Sequence, residues 1–136
     1  MTPAHLAALH QRAFADSRGW SPDEFASLLA QTGVHMIGDK RSFILLRIVL
    51  EEAEILTLAT DPAHRRQGLA AQTLRAAERK AAQRGTGSLF LEVAENNAPA
   101  LALYQKAGFQ QVGERHDYYK SSSGQAVAAL ILRKAI

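Results

Sequence analysis

Apolar and polar positions in the first part of the chain recur with helical spacing. Over residues 3–16 the apolar side chains fall on one helical face, which predicts an amphipathic helix. Residues 21–24, with the sequence Ser-Pro-Asp-Glu, predict a second helix start. The serine can cap the helix, the proline suits its first turn, and the glutamate completes a capping box. We expect this helix to end near Gly33.

After Gly33 the pattern changes to strands interrupted by two helices. Strands are expected at residues 34–37, 42–50, 54–60, 88–93, 109–112 (with a continuation toward residue 119) and 125–132. Helices are expected at residues 67–84 and 98–106, each ending just before a glycine. A strand–helix–strand unit within an antiparallel meander predicts a mixed α/β (α+β) domain. We expect one domain over residues 1–136, with a mostly antiparallel twisted sheet of about six strands and helices on both faces.

Composition narrows the class of protein. The 136 residues carry a net charge of +3, contain no cysteine, and are 47% hydrophobic and 21% charged. These values predict a cytoplasmic globular domain without disulfides, thiolate metal sites or a cysteine nucleophile. No apolar run approaches the ~20 residues of a membrane span, and no basic run indicates nucleic-acid binding. The five histidines lack metal-ligand spacing and are expected to be surface or capping residues: His5, His10, His35, His64 and His116.

The junction between the third strand and the long helix has the composition of an anion-binding corner. It reads DPAHRRQGLA over residues 61–70. The first turn of a helix leaves backbone N–H groups without partners and carries partial positive charge, which suits a diphosphate. Gly68 has no Cβ to keep an anion away. The alternative is that Arg65 and Arg66 are ordinary solvated side chains.

A second group of polar residues follows the predicted strand at 88–93. Glu92 alternates away from the apolar face of that strand, toward the side of Phe90. Asn97 is a good N-cap, and Tyr104 follows seven residues later near the same helical face. A carboxylate and a phenol converging on one cleft would suit proton transfer. The alternatives are a solvated glutamate, a simple cap and a packed tyrosine.

At these residues the sequence resembles the GNAT superfamily of N-acetyltransferases. The superfamily's acetyl-CoA signature, Arg/Gln-x-x-Gly-x-Gly/Ala, is matched by residues 65–70. Residues 54–136 are most similar to the RimI-type branch, which acetylates the N-terminal alanine of ribosomal proteins. The branch order is matched by Leu91-Glu92-Val93, Asn97, Ala102-Leu103-Tyr104, Gly108-Phe109 and His116-Asp117-Tyr118-Tyr119.

The resemblance implies acetyl transfer from acetyl-CoA, as cosubstrate and without a metal, to an amine. It implies Glu92 as general base and Tyr104 as the acid that protonates the leaving thiolate. The cosubstrate contacts it implies are Leu58, Ala59, Thr60, Arg65, Arg66, Gln67, Gly68, Leu69, Ala70 and Asn97. The implied acceptor is a protein N-terminus, which in the branch is that of a ribosomal protein. Without a cysteine, direct attack in a ternary complex is favoured over an acyl-enzyme.

The sequence departs from the branch pattern, and several alternatives stay open. Ala94 stands where the branch has an arginine that shapes the acceptor side. The usual strand before the first helix has no room, so we expect one edge strand to be missing or the start site to be misplaced.

A strand bulge near residues 58–59 could supply an oxyanion donor. Trp20 could line the acceptor groove or staple the second helix. A small amine, a lysine side chain and a non-catalytic CoA-binding module remain alternative functions.

Overall fold

The computed structural model describes residues 1–15, 18–120, 124 and 126–136, and it gives residues 117–120 by their backbone alone. The elements run in the order α1 (Pro3–Ala13), α2 (Pro22–Leu29), β1 (Val34–Asp39), β2 (Ser42–Val49), β3 (Glu52–Thr60), a short 3-10 helix (Pro62–His64), α3 (Leu69–Gln83), β4 (Ser88–Ala94), α4 (Ala98–Lys106), β5 (Gln110–Lys120) and β6 (Ala126–Ala135). The mixed α/β class is confirmed. Within the described residues no strand precedes α1.

The strands form one mixed sheet with the order β1-β2-β3-β4-β6-β5. Neighbouring strands are antiparallel except β3 and β4, which are parallel and connected through α3. The parallel pairing joins Glu52–Ile55 to Ser88–Leu91 and goes no further. Both strands continue beyond it, β3 to Thr60 and β4 to Ala94. The middle of the sheet therefore opens into a gap between the carboxyl ends of its two central strands.

Each face of the sheet has its own apolar core. Helices α3 and α4 cover one face, where the buried cluster includes Leu74, Leu89, Leu91 and Phe109. Helices α1 and α2 cover the other face, but the buried cluster there draws its strand residues only from β1, β2 and β3. The half of this face formed by β4, β5 and β6 is left outside that cluster. Glu92 lies on this open half-face.

The predicted starts of α2 and α4 are confirmed, and several other boundaries are corrected. Ser21 and Glu24 form the capping box of α2, and Asn97 caps α4. Helix α1 ends at Ala13 rather than at residue 16, which lies outside the described residues. Helix α3 begins at Leu69, not at residue 67, because Gly68 takes a left-handed conformation (φ 74°) at its N-cap. The last strand runs on to Ala135, and its predicted first residue, 125, lies outside the described residues.

A β-bulge in β3 lies two residues earlier than the sequence suggested. Leu45 pairs with Thr57 and Leu46 with Ile55, so Leu56 is the extra residue of β3. The expectation of a bulge at residues 58–59 is therefore wrong. The physical reason is that Leu56 packs into the α1/α2 core while the Thr57 hydroxyl meets a side chain of α1, so consecutive residues face the same side. Beyond the bulge, Leu58 packs on the α3 side.

Candidate active site

The gap between β3 and β4 is the centre of the candidate site. From Leu56 to Thr60, strand β3 pairs with β2 on one edge and has no strand partner on the edge facing β4 among the described residues. Residues 58–60, which the sequence singled out, lie on this open stretch. Backbone groups on such an edge are available to a ligand that enters as an extended chain.

The loop from β3 to α3 closes one end of the gap and is tied to α1. Asp61 accepts a hydrogen bond from the amide of Ala63 (3.0 Å) and forms an ion pair with Arg12 (3.0 Å). The Arg65 guanidinium donates to the carbonyl of Ala13 (3.1 Å), and the Arg65 amide donates to the carbonyl of Pro62. Arg65 therefore anchors the loop on α1.

Six successive backbone amides, from Arg66 to residue 71, have no acceptor among the described residues. The first hydrogen bond of α3 is donated by Gln72 to the carbonyl of Gly68 (3.1 Å). Both Arg66 (φ 63°) and Gly68 (φ 74°) adopt left-handed conformations, and no atom lies within 4 Å of the place where a Cβ of Gly68 would be. The loop thus presents a row of free N–H groups beside open space, which is the arrangement that binds phosphate.

Glu92 lies on the open half-face, as its alternation predicted, and it has a partner that the sequence did not indicate. The Arg115 Nε is 3.0 Å from Glu92 Oε1. Arg115 comes from β5, opposite Ala129 of β6, so its side chain crosses β6 over a small residue to reach β4. The nearby Glu54 pairs with Arg47 (3.6 Å). Burial raises the pKa of Glu54, and the charge of Glu92 raises it further against the opposing effect of Arg47.

Tyr104 lies on the other face of the sheet from Glu92. It is buried in the α3/α4 core, where its ring meets that of Phe109 edge-on at 5.5 Å. Burial raises the pKa of Tyr104 well above its usual value. The phenol therefore keeps its proton at any ordinary pH. The structure does not bring Glu92 and Tyr104 into contact, because they lie on opposite faces of the sheet.

Asn97 begins α4 next to the end of β4. Its side-chain Oδ1 accepts a hydrogen bond from the amide of Ala100 (3.2 Å), which confirms it as the N-cap. The capping contact occupies the oxygen of the side-chain amide. The donor end of the same group is the part that can contact a ligand.

A cavity of about 590 Å³ lies between α2 and β3 on the α1/α2 side of the sheet. Its wall includes Trp20, Asp23, Leu28 and Leu56. Trp20, directly before the N-cap Ser21, also contacts Phe25 of α2, with ring centroids 5.5 Å apart. The staple interpretation is therefore confirmed, and the interpretation of this groove as the acceptor groove stays a prediction.

His10 differs from the other histidines because it is buried, so the prediction that it is a surface or capping residue is wrong. It is only 5% exposed and is enclosed by Phe14, Trp20 and Phe25. The Trp20 amide donates to His10 Nδ1 (3.2 Å), so Nε2 carries the proton and donates to the Thr57 hydroxyl (3.0 Å). Burial lowers the pKa of His10 to about 4. A neutral, doubly hydrogen-bonded imidazole can be buried where a charged one cannot.

Comparison with known proteins places the chain in a family. The model of the acetyltransferase (GNAT) family matches residues 5–109. The chain belongs to this acetyltransferase family. It is 33% identical over 129 residues to the ribosomal protein bS18-alanine N-acetyltransferase of Escherichia coli, a match that covers 92% of this chain and 87% of that protein. It is 34% identical over 129 residues to N-alpha-acetyltransferase RimI of Mycobacterium tuberculosis, with coverages of 88% and 80%.

Solved acetyltransferase structures have the same fold. The crystal structure of the E. coli ribosomal-protein-S18-alanine N-acetyltransferase has a TM-score of 0.88 and 32% identity, over 98% of this chain and 87% of that chain. Arabidopsis thaliana NAA60 in complex with a bisubstrate analogue has a TM-score of 0.81 at 19% identity, over 100% and 95% of the two chains. The second likeness, at lower identity, concerns the fold alone.

In this acetyltransferase, Ala94 stands where the branch pattern leads one to expect an arginine, and the residue after it is bound to β6. Glu95, which follows Ala94, binds β6 twice: its amide donates to the Ala128 carbonyl (2.9 Å), and its carboxylate accepts from the Ala128 amide (3.2 Å). This end of β4 is therefore a structural anchor. The guanidinium that contacts Glu92 comes from Arg115 on β5. The only sequence signal that could have indicated this contact is the alternation of residues along β5.

Two further features of this acetyltransferase concern metals and membranes. Among the described residues, no group of three or more histidine, aspartate or glutamate side chains is arranged to hold a metal ion. No helix within them combines the length and apolar character that crossing a bilayer requires. The side chains of Tyr118 and Tyr119, which carry part of the family resemblance, lie outside the described side chains.

The buried neutral His10 predicts acid sensitivity in a defined pH window. The unfolded chain binds a proton at His10 below pH 6.5, whereas the folded protein does so only near pH 4. Stability is therefore highest above pH 6.5 and falls as the pH drops from 6.5 to about 4, by about 3 kcal/mol in the unfolding free energy. Urea unfolding at a series of pH values measures this loss.

Two variants test whether His10 is the titrating group that causes this loss of stability. In His10→Gln most of the loss between pH 6.5 and about 4 should disappear. In His116→Gln, which changes an exposed histidine, the full loss of stability should persist. A smaller loss of stability remains in His10→Gln because burial also lowers the pKa of His35. If the free energy of unfolding of His10→Gln depends on pH as it does in the wild type, the prediction is contradicted.

Proposed function

We propose that the protein transfers the acetyl group of acetyl-CoA to the N-terminal α-amine of a protein, and that this protein is a ribosomal one, as for its named relatives. The observation that carries the proposal is the gap that follows Ile55 and Leu91, with free amides at one end and a carboxylate beside it. An extended thioester and an amine can meet in such a gap from opposite sides. We place the reaction in the cytoplasm, with no metal and no nucleic-acid partner.

The two halves of the cosubstrate have separate binding regions in this proposal. The diphosphate takes the free amides between Arg66 and Ala70, including those of Gln67, Gly68 and Leu69. Backbone groups of Leu58, Ala59 and Thr60 hold the pantetheine arm and the acetyl carbonyl, and the side-chain amide of Asn97 contacts the arm. Arg65 contributes by fixing the loop on α1, since both its amide and its guanidinium have protein partners.

Glu92 is proposed to receive the proton of the attacking amine. An α-amino group has a pKa of about 7.7–8.0 against about 10.4 for lysine, so the neutral nucleophile is far more accessible from a protein N-terminus. The Arg115 Nε lies 3.0 Å from Glu92 Oε1 and holds the carboxylate in place. The carboxylate accepts the proton directly or through a water molecule.

Tyr104 is proposed to stabilise the leaving thiolate. A phenol, with an ordinary pKa of about 10, is a weaker acid than a thiol, whose pKa is about 8.5, and burial raises the pKa of Tyr104 further. Complete transfer of the proton to the thiolate sulfur is therefore unfavourable. A hydrogen bond donated to the developing negative charge is the contribution that a neutral phenol can make. Its hydroxyl makes no hydrogen bond with the described residues, so it has a donor to offer.

Direct transfer in a ternary complex follows from the nucleophiles present. The chain has no cysteine, and the two proposed catalytic side chains are a carboxylate and a phenol. The amine nitrogen attacks the thioester carbon, the tetrahedral oxyanion is held by backbone N–H groups of β3, and the carbon–sulfur bond then breaks. Rapid-quench mass spectrometry should show no acetylated protein at a kinetically competent level.

Changing Gly68 to alanine tests the diphosphate region. A Cβ at this position meets no protein atom but projects into the space beside the free amides. Gly68→Ala should therefore weaken CoA binding by at least about tenfold in calorimetry, which is about 1.4 kcal/mol. The left-handed conformation (φ 74°) also costs alanine roughly 1 kcal/mol of folding stability.

Gly85→Ala is the matched control. Gly85 has φ 83°, has no atom within 4 Å of the place where its Cβ would be, and follows the other end of α3. It should lose the same stability of roughly 1 kcal/mol in urea unfolding while binding CoA normally. Equal CoA affinity in the two variants would contradict the placement of the diphosphate.

Changing Glu92 to glutamine tests the proton acceptor. At pH 7, Glu92→Gln should lower kcat by about 10²-fold or more, the effect expected of a general base. The deficit should shrink at about pH 9, where the α-amine is already mostly neutral. Glu114→Gln, a change of an exposed carboxylate on β5, serves as the control. A deficit that stays constant across this pH range argues for a purely structural role.

The acceptor is identified with a matched set of substrates. Short peptides with the N-termini of the host's ribosomal proteins are compared with N-terminally blocked, lysine-containing versions and with small amines. The release of the free thiol of CoA and the intact mass of the acceptor are measured together. Acetylation of the free N-terminus alone supports the proposal, and preference for lysine or a small amine contradicts it. CoA binding without thiol release on any acceptor would indicate a non-catalytic module.

A further inference from the structure

Three hydroxyl groups form a continuous hydrogen-bonded row through the interior between β3 and α3. The Thr60 hydroxyl, at the end of β3, lies 3.0 Å from the Ser42 hydroxyl at the start of β2. The Thr73 hydroxyl, in the second turn of α3, lies 3.2 Å from Ser42 and 2.8 Å from the carbonyl of Leu69. Ser42 is 2% exposed and Thr73 is 8% exposed.

The Thr73 hydroxyl is the donor that joins this row to α3. It has two acceptors within reach, the Ser42 hydroxyl and the Leu69 carbonyl, and the carbonyl is the closer one. The Ser42 hydroxyl also bonds the Thr60 hydroxyl, so each of the two buried hydroxyls, Ser42 and Thr73, has two partners. Turning either side chain would remove a partner from its neighbour, so the row restrains the side chains that it joins.

The two ends of the row lie in the two halves of the proposed cosubstrate site. Thr60 ends the stretch of β3 that faces the gap. Leu69 is the first residue of α3 and one of the residues whose backbone amides are free. Along the chain these halves are joined by the loop of residues 61–68, whose side-chain contacts run to α1. The hydroxyl row therefore connects them directly, through β2 and the interior.

We infer that Thr60, Ser42 and Thr73 are positioning residues that fix the pantetheine-binding end of β3 against the diphosphate-binding start of α3. This inference rests on the proposed binding of acetyl-CoA. A ligand that bridges two half-sites gains from both only when their separation matches its own length, because the second contact then forms at a high effective concentration. Loosening the separation lowers the affinity for the whole ligand and leaves each half of the ligand unaffected.

The chain offers a matched control for removing these hydroxyls. Thr86 is also a buried threonine near α3, beyond its other end, and its Oγ1 is the one wholly buried side-chain polar atom among the described residues without a hydrogen-bond partner. Thr86→Val and Thr73→Val make the same change of shape and chemistry. The first removes an isolated hydroxyl and should leave stability equal or higher, whereas the second breaks the row.

The experiment compares the affinities for CoA, ADP and pantetheine, the last two measured by competition. Thr73→Val and Ser42→Ala should each weaken CoA binding about tenfold while changing the affinities for ADP and pantetheine less than about twofold. Thr86→Val should bind all three like the wild type. Thr73→Ser, which keeps the hydroxyl, should bind CoA like the wild type. Ser42→Ala leaves the Thr73–Leu69 bond intact, so it keeps the test valid if Thr73→Val folds poorly.

Three results would overturn the inference. Normal CoA binding by both Thr73→Val and Ser42→Ala would show that the row does not position the two half-sites. An equal loss of ADP affinity would show damage to the diphosphate region itself. Failure of the wild-type protein to bind CoA would remove the proposed function and this inference together, and this result is distinguished from the other two by the wild-type measurement alone.

Discussion

The parallel pairing of β3 with β4, and its end after Ile55 and Leu91, is the constraint on which the rest of the structure depends. A parallel pair requires a crossover, and α3 provides it on the face where its Ala-rich stripe packs. Because the strands then separate, the start of α3 and the carboxyl end of β3 adjoin the same opening. The anchored loop, the free amides and Glu92 all take their positions from this geometry.

Much of the fold followed from local sequence signals because those signals are strong here. The capping box at Ser21, the N-cap at Asn97 and the strict alternation along β4 each depend on neighbouring residues, and all three were predicted correctly. The anion-binding role of residues 65–70 stays a prediction, and the free amides of that loop support it. What the sequence did not supply was the exact start of α3, because a glycine can begin a helix in a left-handed conformation without any capping side chain.

The errors concern contacts between residues distant in the chain. His10 lies four residues after Leu6 and four before Phe14, on the apolar face of α1, but no local signal identifies Trp20 and Thr57 as the partners of its two ring nitrogens. Arg115 reaches Glu92 across a third strand, so no spacing in the sequence relates them. The bulge at Leu56 was misplaced because its position is set by which side chains the α1/α2 core accepts. Such pairings depend on tertiary packing rather than on local propensity.

The bulge makes the length of β3 as important as its composition. Leu56 and Thr57 face the same side, so alternation starts again only after the bulge. Inserting one residue between Thr57 and Leu58 would turn every later side chain to the opposite face, and Leu58 and the hydroxyl of Thr60 would then face α1 instead of α3. Single-residue insertions and deletions should therefore be tolerated in the turn at residues 50–51 and excluded from the stretch of β3 that follows Thr57, even where they preserve hydrophobicity.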